Sequence, residues 1–173
     1  IEKLGKHRPT GNLRGGKYSL YEAGTRVPFL TYWKGNIEAG VSNEIISQLD
    51  WLASLSSLVN NPIKNLDSEN HMDFLLGKTM TGRTDIILEA TSRTAYRQGN
   101  WVLIPPYPGP KMFLTKGIET GNGEEFQLYN LANDASQQNN LAVKMPEKRD
   151  EMMAAFISIV GDAYKKTNRL KFD

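Results

Sequence analysis

The chain has 173 residues, 39% of them hydrophobic and 23% charged, with 21 basic residues against 19 acidic ones. Those proportions describe a globular chain of one domain or two small lobes, and they exclude a strongly basic nucleic-acid binder because no long cationic block supplies the field. The absence of cysteine excludes disulfides, zinc–thiolate sites and thiol nucleophiles within the chain, and no apolar run approaches the ~20 residues of a membrane span.

Taken in chain order, residues 1–16 are polar and punctuated by Gly5, Pro9, Gly11, Gly15 and Gly16, which predicts a loop. The run "RVPFLTYW" (Arg26–Trp33) is apolar on both faces and predicts a buried strand in a sheet covered on both sides. From Asp50 the period changes. Leu52, Leu55 and Val59 recur at helical spacing, with Ser47 or Asp50 as N-cap, until Asn60, Asn61 and Pro62 stop the helix. "HMDFLLGK" adds about two helical turns ending at Gly77.

Residues 85–131 turn to strands. "DIILEA", "RTAYRQ", "WVLIPP" and "EEFQLYNL" are short segments separated by turn residues, with a hairpin reversal at Gln98-Gly99-Asn100. They predict a four-stranded antiparallel sheet. Over about 146–166, Pro146 and Glu147 suit a helix start, Met152, Phe156, Val160 and Ala163 form a stripe, and Lys165 and Lys166 close the helix. That face is expected on the sheet.

The chemistry-bearing candidate is the lysine in "NLRGGKYSLYEAGTRVP". Lys17 follows a double glycine that lets backbone come close to a ligand, and Glu22 and Arg26 flank the way into the apolar run. On composition alone, Lys17 is one more solvated charge. His7 and Arg8, about ten residues before it, offer a proton carrier and a cation. His71 and the three tryptophans, Trp33, Trp51 and Trp101, read as packing residues.

The order of these parts resembles the sulfatase family. "GKYSLYEAGTRVP" is similar to the family's lysine followed by Glu-Gly-Gly-x-Arg-x-Pro, with Ala23 in place of the first glycine. "VSNEIISQLDWLASLSSLV" looks like its buried aspartate and Pro-Thr helix, with Ala53-Ser54 substituted, and "LDSENHMDFLLG" like its Asp-Gly…Leu-Leu-x-Gly stretch, with Ser68 for glycine. "RTAYRQGNWVLI" and "FQLYNLANDASQQNNLA" resemble two further family segments in the same order, Val102 replacing a lysine in the first.

The resemblance implies an α/β fold, alkaline-phosphatase-like, of which this chain is the C-terminal part. Residues 1–80 would end the catalytic domain and its sheet; residues 81–173 would form the C-terminal subdomain of four antiparallel strands and a long helix. It implies that Lys17 contacts the sulfate as a catalytic residue, that His7 and Arg8 bind substrate, and that Glu22 and Arg26 support the loop. It also implies a formylglycine nucleophile and calcium. No Cys-x-Pro or Ser-x-Pro occurs here, so nucleophile and metal ligands are expected upstream and this chain alone is expected to be inactive. The implied substrate is a sulfated small molecule or glycan, in the periplasm, a secreted fluid or the lysosome. An exposed sheet edge would in turn be covered by forming an oligomer. Two alternatives stand beside this: a phosphomonoesterase or phosphonate hydrolase of the same superfamily, and a non-catalytic sugar-binding module.

Overall fold

The computed structural model describes residues 7–64, 67–91, 93–161 and 164. The chain packs as two units, Pro28–Asp85 and a second that joins Ile1–Val27 to Ile86–Asp173. The expected division at residue 80 concerns the domains of a longer protein. Packing within this chain follows a different line, because Leu20 and Tyr21 find their partners beyond residue 86.

The second unit is built on a four-stranded antiparallel sheet. Its strands are β1 (Asp85–Ala90), β2 (Arg93–Gln98), β3 (Trp101–Ile104) and, later in the chain, β6 (Gln127–Asn130), in the order β1-β2-β3-β6. The hairpin from β2 to β3 turns at Gly99, whose φ of 54° suits glycine. Register pairs Tyr96 with Leu103, Leu103 with Leu128, and Val102 with Tyr129. Two-residue alternation then sorts the side chains by face. Tyr96, Leu103 and Leu128 lie on one side, and Ala95, Val102, Ile104 and Tyr129 on the other.

Helix α4 (Pro146–Val160) covers the first face. Met152 and Phe156 are fully buried against Tyr96, Leu103, Leu128 and Ala142, as the helical stripe requires. The expected closure by Lys165 and Lys166, and Ala163 of the stripe, lie outside the described residues. On the opposite face sits the N-terminal loop. Leu20 and Tyr21 are buried against Val102, Ile104, Tyr107 and Tyr129, so the segment carrying Lys17 is one layer of the core. Between β3 and β6 the chain makes a small hairpin, β4 (Met112–Phe113) and β5 (Ile118–Glu119), that the sequence did not announce. Strands of two residues carry no alternation to read.

In the unit Pro28–Asp85, Asp50 organises the local structure. Ser47 caps a 3₁₀ turn, Gln48–Asp50, that runs into α2 (Trp51–Leu58), and the Asp50 carboxylate returns a bond to the Ser47 N–H. Asp50 is buried, accepts from the Glu69 N–H at 3.1 Å and pairs with Arg83. Arg83 also meets Glu69 Oε1 at 2.9 Å and donates to the Asp67 carbonyl at 3.2 Å. The Ser54 hydroxyl takes the His71 N–H at 2.9 Å, which starts the single turn of α3 (Met72–Leu75).

One expectation is corrected here. Arg26–Trp33 forms no strand and is not buried: Leu30 is 88% and Tyr32 81% exposed. Extended backbone becomes a strand only beside a partner, and among the described residues none pairs with this run. Helix α2 behaves alike. Its small face, Ala53, Ser54 and Ser56, is buried, while Leu52, Leu55 and Val59 stay exposed.

Phe156→Ala is expected to cost about 3–5 kcal/mol, the range for emptying a filled aromatic site. Ile157→Ala, on the outer side of the same helix, should cost far less. Denaturant unfolding of the two variants measures the difference.

Candidate functional site

Lys17 stands at the tip of a turn closed by the Ser19 N–H on the Gly16 carbonyl at 2.9 Å. Its side chain is exposed, with Nζ 5.0 Å from the centroid of the Tyr18 ring. Tyr18 holds a φ of 76°, a left-handed conformation that a side chain rarely adopts and that persists where the surroundings enforce it. Its ring meets Phe113 edge-on at 6.2 Å, and Lys116 Nζ lies 5.1 Å from its centroid. Two ammonium groups, one from the loop and one from the β4–β5 turn, therefore stand beside one ring.

The glycines around Lys17 answer to space. A Cβ on Gly15, at φ 85°, would fall 2.3 Å from Ser19 Oγ, and one on Gly24 would fall 2.1 Å from the Ser19 carbonyl oxygen. Ala23 is half-buried, and its N–H donates to the Arg14 carbonyl at 3.0 Å, so a methyl group is accommodated there and not at its neighbour.

Arg14 fixes the loop from below. Its guanidinium donates to both Glu119 oxygens at 2.8 and 2.6 Å, to the Gln137 carbonyl at 2.8 Å and to the Tyr129 hydroxyl at 3.3 Å, and it stacks on the Tyr21 ring at 4.1 Å. The hydrogen bond to Glu119 holds the Arg14 pKa above its usual value, and the same bond holds the Glu119 carboxyl below its own. Burial pushes Tyr21 and Tyr129 upward, so both phenols stay neutral and share Gln127 Oε1, at 2.7 and 2.9 Å.

Glu22 opens the short helix α1 (Glu22–Thr25) and is buried. Its N–H donates to Gln137 Oε1 at 2.7 Å. Its carboxylate lies 3.7 Å from Arg26 Nη1 and 3.5 Å from Arg97 Nη1. Burial lowers the Arg97 pKa, with Glu22 acting against that shift. The structure thus brings Lys17, Glu22 and Arg26 into one packed segment, and adds Arg14, Arg97, Glu119 and Gln137, which sequence reading passed over. Arg14 lies inside the quoted motif; nothing in the sequence signals that its partners lie at Glu119 and Gln137.

Arg8 is exposed and donates to Asn12 Oδ1 at 3.3 Å. With Asn12, Arg14, Gly15, Glu119 and Gln138 it lines a cleft of about 650 Å³ between the loop and the β4–β5 hairpin. His7 is exposed and does not line that cleft. Among the described residues no three His, Cys, Asp or Glu side chains come together as a metal site.

A basic loop plated on a small sheet-and-helix layer defines a recurrent architecture, and comparison shows where it recurs. Residues 4–61 match the family model described as Sulfatase. The chain is 38% identical over 163 residues to an N-acetylgalactosamine-6-O-sulfatase of Bacteroides thetaiotaomicron, covering 92% of this chain and 32% of that protein. It is 39% identical over 79 residues to human arylsulfatase A, covering 44% of this chain and 16% of the relative. A solved structure associated with the metabolism of multiple glycosaminoglycans by B. thetaiotaomicron superposes with a TM-score of 0.85 at 37% identity, over 90% of this chain and 33% of that one. The PsFucS1 sulfatase from Pseudoalteromonas sp. shares the fold, with a TM-score of 0.61 at 22% identity over 93% of this chain and 34% of that one. The chain belongs to the sulfatase family, and it spans about a third of the length of its Bacteroides relatives.

Two outcomes are expected of the loop's supports. Gly24→Ala should destabilise by about 1–3 kcal/mol, since a methyl group must displace backbone; thermal unfolding checks this. Glu119, its folded pKa lowered, contributes stability that is present above its ordinary value of 4.5 and is lost as pH falls through the lower folded value. The stability gap between wild type and Glu119→Gln should therefore be largest at neutral pH and shrink below pH 4.5.

Proposed function

We propose that the longer protein to which this chain belongs hydrolyses sulfate esters of carbohydrates, and that Lys17 contacts the sulfate in the transition state. The observation that carries this is the construction around Lys17: an exposed ammonium on a tight turn packed against Gly15 and Gly24, where a Cβ has no room, in a loop tied by Arg14 to the layer beneath. The match to sulfatases along 92% of the chain supports the reading, and the name of that relative directs it to a sulfated amino sugar.

As the sulfur–oxygen bond breaks, negative charge grows on the departing sugar oxygen while the sulfuryl group remains anionic. A positive charge fixed in advance lowers that state more than the bound substrate, because it pays no reorganisation as the charge develops. Water could supply the same field only by reorienting. Lys17 is suited to this role by its exposure and by the stiffness of its turn. Glu22 is buried and shared between Arg26 and Arg97, so it holds the loop rather than addresses the ligand.

In the full-length protein, Lys17→Ala should lower kcat by ~10²–10³-fold with a smaller change in KM. Lys17→Arg should not restore it, because a planar fork does not replace a compact ammonium. Lys34→Ala, an exposed lysine of the other unit, serves as control. Assay on N-acetylgalactosamine 6-sulfate and on a phosphate monoester separates sulfatase from phosphatase activity. Near-normal turnover by a folded Lys17→Ala protein would refute the assignment.

A further inference from the structure

We infer that Gln137 is the positioning residue of the Lys17 turn, holding both ends of the segment that carries the lysine; its effect on catalysis rests on Lys17 meeting the sulfate. The segment is first closed on itself. The Ala23 N–H donates to the Arg14 carbonyl at 3.0 Å, and within that closure the Ser19 N–H meets the Gly16 carbonyl at 2.9 Å. Lys17 therefore stands at the tip, with Arg14 and Glu22 at the neck. Gln137 reaches both sides of the neck: its carbonyl accepts from Arg14 Nη1 at 2.8 Å, and its Oε1 accepts the Glu22 N–H at 2.7 Å. One residue thereby sets the spacing between the entry to the turn and the exit from it.

Gln137 is itself firmly held. It is fully buried and adopts a φ of 52°, a left-handed conformation that a glutamine keeps only where its surroundings enforce it. The turn around it does so. The Gln137 N–H donates to the Asp134 carbonyl at 3.0 Å, and the Asp134 carboxylate takes the Gln138 and Asn139 N–H groups at 3.1 and 2.7 Å and the Ser136 hydroxyl at 3.2 Å. Of the two polar atoms on the Gln137 side chain, the oxygen alone is used: Nε2 is buried and donates no hydrogen bond among the described residues.

Between neck and tip the segment has little slack. Gly15 and Gly24 admit no Cβ, and Tyr18 is held at a φ of 76°, so a shift at Glu22 is passed on to Lys17 rather than absorbed. Such a shift changes the place of the ammonium and not its charge. A preorganised charge lowers the transition state only where negative charge develops, so misplacement is felt in kcat before KM. Glu22 and Arg26 support the segment from within; Gln137 supports it from the turn after β6.

The test uses the full-length protein and N-acetylgalactosamine 6-sulfate. Gln137→Asn suits the left-handed backbone but withdraws its oxygen by one methylene, and Gln137→Met keeps the length and carries no oxygen. Each should lower kcat by about 10–100-fold with KM little changed, and Gln137→Glu, which keeps an oxygen at the same reach, should restore most of the loss. Phe156→Ala, buried on the face of the sheet away from the loop, should lose more thermal stability and keep kcat per folded molecule. A kcat that falls in rank with stability across these variants, or that does not fall in Gln137→Asn and Gln137→Met, overturns the inference. With Lys17→Ala already in place, Gln137→Asn should change kcat by less than about twofold. An undiminished loss there overturns it as well. If Lys17→Ala proves normally active, or wild type does not turn over this substrate, the sulfate contact fails by itself and hydrogen exchange decides on Gln137. Faster exchange at Ser19 and Ala23 in Gln137→Asn, with Val102 and Leu103 unchanged, upholds the positioning of the turn; unchanged exchange at Ser19 and Ala23 overturns it.

Discussion

The Arg14 guanidinium is the group on which the lysine loop depends. Four hydrogen bonds from its planar fork go to a bidentate carboxylate, a backbone carbonyl and a phenol, and the flat face rests on Tyr21. Each partner comes from a different part of the sheet layer, so one side chain ties the loop to β5, to β6 and to the turn after it. A lysine at this position would supply the charge and lose the fork. Partial burial strengthens the arrangement, because each bond is made where water competes less, and it would leave Glu119 and the Gln137 carbonyl without their common donor if the arginine were removed.

That clamp works because the sheet has two buried faces. Antiparallel sheets commonly leave one face to solvent. Here α4 takes one face and the N-terminal loop takes the other, with Leu20 and Tyr21 as its anchors. A loop used as a core layer gives up the freedom of a surface loop. The Leu20 N–H pairs with the Thr120 carbonyl at 2.9 Å, and the Glu22 N–H with Gln137 Oε1 at 2.7 Å, so the backbone is satisfied on both sides of the lysine turn. Precision at Lys17 is inherited from the packing of Leu20 and Tyr21 more than from any local propensity.

Local signals in the sequence carried the regular elements and failed where a partner decides the outcome. β1 and β2 fall on the short segments that turn residues mark off, and Met152 and Phe156 face the sheet as their spacing dictates. The run Arg26–Trp33 has the composition of a buried strand, but a ladder needs a neighbour, and composition does not say where the neighbour lies. The β4–β5 hairpin is too short to show a period, yet it supplies Glu119 to Arg14 and Lys116 to the Tyr18 ring. At the site, the lysine, its glycines, Glu22 and Arg26 were legible as a motif. Their anchors were not, because a bond between Arg14 and Glu119 joins residues 105 apart and leaves no mark near either.

That separation also governs when the loop acquires its shape. Contacts spanning 105, 115 and 123 residues close only after the intervening chain exists, and they close against the entropy of a long loop. At synthesis rates of about 5–20 residues per second, Arg14 waits roughly 5–20 s after its own translation before Glu119 is made. The sheet and α4 draw on later and more local sequence, so their contacts close over shorter loops than those of Arg14. The bonds that fix the lysine turn thus cannot be complete before Gln137 has been made, and birth order along the ribosome becomes part of how the loop is built.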